Sequence, residues 1–422
     1  MTIDEKIKLI IDAENTVGMI GLPTAARIDG WLFYNFSHRD RLTDELLRLD
    51  REAVSTRRWF CLIPAVGEPV KIVHTIEREI LDGIPGRRFV YSGAAELAGF
   101  LETFRGSVFA ALCDSGLPAV SGLDAGAAAL AASAGICLVS AASLMQRLRG
   151  VLDSSGIASH ERAASVLYRT TEAAWKHISG RYRKGERFSE GEVQRLILAS
   201  FEENGLVTDH PPIVAFGPNS GNPHYSIPEE GRTRGEGRIV REGDIIQLDM
   251  WAKEPGGIYA DISWTGVFAA KVPAEAERAF AVIAGARDRV YSVLEEKIPA
   301  GVPVTGAELD ELVREHIIQA GYGSALRHRT GHGIDTECHG AGVNLDSFEF
   351  PDRRYILEGS CFSVEPGVYF DNFGLRTEIN IYISGGHPVI SGTDRSSSAE
   401  NSAGGFCIQK KILAVSPDCG KL

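Results

Sequence analysis

A segment that returns at a constant interval narrows the fold of this chain more than any other feature. Ser189-x-x-Glu192 recurs as Thr305-x-x-Glu308, 116 residues later. Both are capping-box signatures, in which a hydroxyl and a carboxylate satisfy opposite backbone donors at a helix start. Gly185 and Gly301 stand four residues before the two caps, and Gly205 and Gly321 follow the helices where a left-handed C-terminal residue is expected; both pairs keep the offset. The helices share an apolar stripe: Val193, Leu196, Ile197 and Phe201 in the first, Leu309, Leu312, Val313 and Ile317 in the second. Coincidence among common residue types is the competing explanation, because capping boxes alone are weak signals. A real repeat implies two related half-domains.

The same interval links acids. Asp249 displaced by 116 is Glu365, and Asp261 so displaced falls one residue short of Glu378. The run Asp244 to Trp251, the turn Gly256-Gly257 and the run Ile258 to Thr265 read as two strands of a hairpin. Asp is disfavoured inside strands, so Asp249 and Asp261 each need a partner, and a cation shared between adjacent strands supplies one. Two carboxylates on an edge strand facing solvent are the plainer alternative. The second half repeats the pattern: Cys361 to Phe370, a turn at Asp371 to Gly374, then Leu375 to Ile383, with Glu365 and Glu378 as the interruptions. Between the halves lies His328-Arg-Thr-Gly-His332-Gly-Ile-Asp-Thr-Glu-Cys-His339, where glycines bracket His332 and allow close approach of backbone or ligand. A lone His is usually structural, but three in twelve residues beside four acids point to a site.

The N-terminal part reads differently. Strand-like runs at Trp59 to Ile63, Val70 to Val73 and Val108 to Leu112 alternate with helical stretches such as Ala94 to Phe104, as in an α/β domain. The small, polar segment Gly150 to Ser159 reads as a linker into a helix over His160 to His177, which places a boundary near residue 150 and domains at 1–150 and 151–422. The chain's 422 residues suit two cores. A net charge of -12, with no long Lys/Arg cluster, argues against nucleic acid or an anionic membrane as partner and leaves a small substrate. The start lacks the continuous apolar core of a secretory signal. Ala125 to Gln146 is uncharged, yet its Ala, Ser and Gly content reads as a helix over Ala127 to Ala134, a stop at Gly135 and a buried strand Ile136 to Val139, not a membrane span. Seven scattered cysteines with no Cys-x-x-Cys pair fit reduced thiols in a cytoplasm.

The ordered set Asp249, Asp261, His332, Glu365 and Glu378, with Glu365-Pro-Gly and Gly374-Leu-Arg-x-Glu378, resembles the pita-bread metallopeptidases, the family of methionine aminopeptidase, aminopeptidase P and Xaa-Pro dipeptidase. The resemblance covers Gly150 to about Ile383, and the part before it is similar to the creatinase-type N domain of the proline-directed branch. It implies an α/β N-terminal domain followed by an α+β pita-bread domain with internal pseudo-two-fold symmetry. It further implies two divalent metal ions: Asp249 on the first, His332 and Glu365 on the second, Asp261 and Glu378 bridging. Four carboxylates and one imidazole make a hard set that favours Mn²⁺, with Co²⁺ and Zn²⁺ as alternatives. Such a pair acidifies a bridging water and polarises the scissile carbonyl, and the family likeness gives Glu365 the duty of taking that water's proton.

By the same resemblance His339 would serve the developing oxyanion, His224 and His328 would line the proline side, and Arg376 would hold the bridging carboxylate or meet a substrate carboxylate. The activity implied is hydrolysis of Xaa-Pro bonds in short peptides, as dipeptidase or aminopeptidase, by a homodimer. A creatinase-like hydrolase, a metal-dependent lyase and a catalytically inactive binding protein share the fold and stay open. The chain departs from the family pattern at Ile379, where many relatives carry an acid, in a lengthened glycine turn between Asp249 and Asp261, and in a Ser/Gly-rich tail, Ser391 to Gly405, unlike a tightly packed ending.

Overall fold

Apolar runs of four to six residues bounded by turn formers dictate the architecture of the first part of the chain. The computed structural model describes residues 2–17, 27–230, 233–392 and 408–415, and the chain divides into two compact units, Met1–Arg149 and Gly150–Leu422. In the first unit six strands line up in the order Arg87–Tyr91, Val70–His74, Trp59–Pro64, Gly30–Asn35, Val108–Ala111, Cys137–Ser140. Trp59–Pro64 is antiparallel to both its neighbours and the other three pairs are parallel. Gly30–Asn35 is buried along its whole length, which is why GWLFYN reads as a nearly continuous apolar run.

The uncharged stretch after residue 124 forms a helix, Ala125–Ser133, capped by the Asp124 carboxylate, which accepts from Ala127 N at 2.7 Å. Gly135 follows at φ 86. The expected buried strand is Cys137–Ser140, and it lies at the edge of the sheet with Cys137 exposed. Its sequence could not reveal this, because edge position is set by strand order. Among the described residues no helix is long and apolar enough to cross a membrane.

The second unit opens on a 30-residue helix, Ser154–Arg183, so most of the stretch expected as a linker is helical. Asp153 explains the difference: its carboxylate accepts from Gly156 N at 2.8 Å and starts the helix at residues whose own propensity is poor. The helices Glu190–Glu203 and Gly306–Gln319 then follow, 14 residues each and 116 apart.

The repeat extends to individual backbone pairings. Glu190 N donates to Arg238 O, Gly191 N to Glu236 O and Val240 N to Phe188 O; the second half has Gly306 N to Arg354 O, Ala307 N to Asp352 O and Ile356 N to Val304 O. Every residue is displaced by 116, which coincidence does not produce. Gly185, Gly205, Gly301 and Gly321 all hold positive φ. One expectation is half met: Thr305 and Glu308 form the full capping box, with Thr305 N donating to Glu308 Oε2 at 2.7 Å. Ser189 caps Glu192 N, but the Glu192 carboxylate turns away to His177 Nε2 at 3.0 Å.

Each half carries a sheet. Ile245–Ala252 lies between Ile213–Phe216 and Ala260–Val267, with Leu413–Ala414 beyond. In the second half Ile379–Ser384 lies between Cys361–Val364 and His387–Ile390, and Gly367–Tyr369 pairs with Gly374–Arg376. Most of the Ser/Gly-rich tail lies outside the described residues. Its first residue, Ser391, is buried, and its hydroxyl bonds His160 Nε2 at 2.7 Å.

Candidate metal centre

Strand alternation places the first two acids. Leu248, Met250, Ala260 and Ile262 turn into the core of the first half, so Asp249, Asp261 and Ser263 face the other way. The hairpin register sets Asp249 opposite Ser263 and Asp261 opposite Trp251. Neither acid meets open solvent: Asp249 is 6% exposed, Asp261 5%, and the strand of Asp249 has neighbours on both sides. The edge-strand alternative is thereby removed.

Glu365 follows the strand Cys361–Val364 and Glu378 precedes Ile379–Ser384. Glu378 N donates to Ser263 O at 3.1 Å and Asp261 N to Asn380 Oδ1 at 2.8 Å, which stitches the two hairpins together. His332 arrives on a segment held against the second hairpin: its N–H donates to Ser363 Oγ at 3.0 Å, and Ser363 N donates back to His332 O at 2.9 Å. Glycine is required beside it. A Cβ on Gly331 would lie 2.0 Å from Ser363 O.

Five side chains of both halves thus converge. His332 Nε2 lies 3.3 Å from Glu365 Oε1 and 3.5 Å from Asp261 Oδ2. Three sets of donor atoms fall within 4.8 Å of one another: Asp249, Asp261 and Glu378; His332, Glu365 and Glu378; Asp261, His332 and Cys338. The first two sets share Glu378, and Asp261 joins the first to the third. Asp261 Oδ1 and Glu378 Oε1 are buried without a hydrogen-bond partner. Orphaned carboxylate oxygens are costly in a native interior, and a cation satisfies both.

The electrostatics agree. Burial pushes the Asp249 carboxyl up to about 7, with Arg376 opposing the rise and Asp261 and Glu365 adding to it. Burial, then Asp261, Glu365 and Asp249, lifts Glu378 well above the carboxylate range. Carboxylates this close cannot all ionise unless cations sit among them. Burial also acts against Glu365, but His332, His328, Arg376 and His339 outweigh it and bring the group to about 2.

Supporting residues that the sequence did not reveal complete the centre. Ser263 Oγ lies 2.7 Å from Asp249 Oδ1 and 2.9 Å from Glu378 Oε2, and accepts from Arg376 Nε at 2.9 Å. Ile379, where many relatives carry an acid, packs into the core of the second half. Ser363 Oγ donates to Glu365 Oε1 at 3.1 Å. Both serines depend on strand register, which residue spacing does not disclose. Arg376 is buried and its Nη2 donates to Asp249 Oδ2, so it grips Asp249 directly and not Glu378.

The centre opens into a cavity of about 750 Å³ whose wall includes Ile213, His224, Tyr225, Trp251 and His339. The His339 ring stands 4.2 Å from that of His332, centroid to centroid, and His332 beside it together with burial lowers its pKa to about 3. His328 is not among the residues lining this cavity. Its Nδ1–H donates to Arg329 O at 2.7 Å, so Nε2 accepts from Tyr369 OH at 2.8 Å, and burial lowers it to about 4.

Two half-domains related by an internal repeat, each giving two carboxylates to one buried centre, define the pita-bread class of metal-dependent hydrolases. Residues 158–385 match the profile of metallopeptidase family M24, and the chain belongs to that family. It is 30% identical over 185 residues to an Xaa-Pro dipeptidase of Lactobacillus helveticus, a match covering 43% of this chain and 45% of that protein. It is 25% identical over 338 residues to a probable dipeptidase PepE of Mycobacterium bovis, covering 75% and 78%. Among solved structures, dipeptidase PepE from Mycobacterium ulcerans superposes with a TM-score of 0.67 over 98% of each chain at 18% identity, a likeness of fold.

Proposed function

We propose that this protein hydrolyses the bond between an N-terminal residue and a following proline in short peptides, using two divalent cations. The observation that carries the proposal is the convergence of Asp249, Asp261, His332, Glu365 and Glu378 with two unpartnered carboxylate oxygens at the floor of an accessible cavity. By family likeness Asp249 would hold one cation, His332 and Glu365 the other, and Asp261 and Glu378 would be shared by both, a reading that the clustered donor atoms support. When bound, such a pair polarises a carbonyl and makes water acidic enough to yield hydroxide near neutral pH.

The chain's own residues do the rest. Glu365, held by Ser363 Oγ, is the base that takes a proton from the attacking water. His339, exposed in the cavity beside His332, donates to the oxygen on which charge develops. His224, on the same wall, meets the leaving side of the substrate. Ile213, Tyr225 and Trp251 supply apolar area for a proline ring. Arg376 orients Asp249. The name of the Lactobacillus helveticus relative supports the choice of proline.

Mn²⁺ suits the oxygen-only set Asp249, Asp261 and Glu378, with Co²⁺ and Zn²⁺ as the alternatives. Met1–Arg149 serves as a creatinase-like N domain ahead of the catalytic unit, and chains pair as homodimers; a strict monomer by light scattering at working concentration would contradict the pairing. The five described cysteines are free, in keeping with a cytoplasmic address that cell fractionation would check.

The deciding assay compares kcat/KM on Ala-Pro, Ala-Ala and Ala-Pro-Ala with Mn²⁺ and with Co²⁺. A ring contact alone gives roughly ten- to two-hundredfold preference for Ala-Pro over Ala-Ala. Equal rates would remove the proline assignment and leave a metallopeptidase. Cleavage of Ala-Pro-Ala separates an aminopeptidase from a strict dipeptidase.

A further inference from the structure

Cys338 stands where an oxygen-and-imidazole centre has no need of sulfur. Its chain is buried, with the apolar cluster of Tyr259, Ile334 and Cys361, but its Sγ meets Asp261 Oδ2 at 3.1 Å. That carboxylate oxygen is the one 3.5 Å from His332 Nε2, and the three donor atoms form one of the sets within 4.8 Å. The other oxygen of the same carboxylate, Asp261 Oδ1, is buried and without a partner. An unpartnered, deeply buried carboxylate oxygen thus lies on the group that both the thiol and the imidazole already face. Zinc–sulfur and zinc–nitrogen bonds of about 2.3 and 2.0–2.1 Å place neighbouring ligand atoms roughly 3–4 Å apart, the separation found here.

We infer that Cys338 is a ligand of the cation held by His332 and Asp261, and that its sulfur makes this side of the centre select Zn²⁺ or Co²⁺ over Mn²⁺. The assignment rests on the two-cation reading of the site and adds a ligand to it. On binding, the S–H bond is replaced by a sulfur–metal bond and the proton leaves to solvent. Thiolate and imidazole suit zinc and cobalt, and manganese stands lowest in the general affinity order of divalent first-row ions. The opposite side, Asp249 with Asp261 and Glu378, offers oxygen alone. The two positions therefore differ in softness, and a mixed pair is the preferred filling. A buried free cysteine acting as a small apolar group is the alternative that the experiment must separate.

The probe is Co²⁺ added to the metal-free full chain, followed by absorption spectroscopy, with Cys338→Ser and Cys338→Val beside the wild type. The expected wild-type spectrum has visible d–d bands together with a near-ultraviolet sulfur-to-cobalt charge-transfer band, and the latter disappears in both variants. Competition titrations should show Zn²⁺ affinity falling by at least about tenfold in Cys338→Val, with Mn²⁺ affinity changed far less. The wild-type spectrum decides even if a variant fails to fold, because absence of the charge-transfer band overturns the ligand role. Survival of that band in Cys338→Ser overturns it as well, by assigning the sulfur to another cysteine. Visible bands without the charge-transfer band leave the two-cation centre standing and remove only Cys338. A wild-type chain that binds no Co²⁺ at all removes both.

Discussion

Glu365 shows most clearly how one side chain combines two duties. It stands 3.3 Å from His332 Nε2, accepts from Ser363 Oγ, and is held at about 2 by His332, His328, Arg376 and His339 against the effect of burial, so it is ionised at neutral pH. Glu365→Gln keeps size and shape but removes the charge and the basic oxygen. Turnover should fall by at least 10²- to 10⁴-fold, the usual contribution of a positioned base, while circular dichroism stays unchanged; a near-normal rate would refute the role. The four acids and one imidazole that define the centre were legible because residue type marks them: Asp and Glu are out of place in strand-like runs, and the repeat tells which ones correspond. Their supports were not. Ser263, Ser363 and Cys338 are ordinary residues for their positions, and only strand register brings Ser263 opposite Asp249. Arg376 was legible as a functional group but not as the partner of Asp249, since its sequence neighbour is Glu378.

At the scale of elements, the pattern of helix starts was readable and their local chemistry was less so. The interval between Ser189 and Thr305 located two equivalent helices, but the Glu192 carboxylate chose His177 over its cap, a choice made by a neighbouring helix. Asp153 likewise began a helix six residues before apolar periodicity would have placed it. The glycines divide into two kinds, and this yields a test. Gly321 has φ 89 and open space where a Cβ would be, whereas Gly331 has its Cβ position 2.0 Å from Ser363 O. Gly321→Ala strains only its own backbone, at about 1–2 kcal/mol. Gly331→Ala should cost a similar amount, about 1–3 kcal/mol by overpacking, but it pushes the His332 segment off the second hairpin. Thermal melts should therefore show comparable loss in both variants, and metal titration should show weakened binding in Gly331→Ala alone. Equal metal affinities would mean that the His332 segment is not positioned by that contact.

For the whole molecule, the chain divides into two compact units, and among the described residues the carboxylate cluster lies in Gly150–Leu422. Metal removal should expose that difference. Without cations, Asp249, Asp261, Glu365 and Glu378 stay crowded in a buried space, and Asp261 Oδ1 and Glu378 Oε1 lack any partner. Cations that bind the folded chain and not the unfolded one add about 2.7 kcal/mol per site at a free concentration of 100 Kd. For a unit somewhat above 150–250 residues each kcal/mol moves the midpoint by roughly 2–4 °C, so chelation should lower the transition of Gly150–Leu422 by several degrees. The loss should be local. Hydrogen exchange measured with and without chelator should show amides of Ile245–Ala252, Ala260–Val267 and Cys361–Val364 losing protection, because these strands hold the acids in place, while amides of Gly30–Asn35 and Trp59–Pro64 keep theirs. Equal loss in both units would mean that they unfold as one body, and no loss in either would mean that no cation occupies the centre.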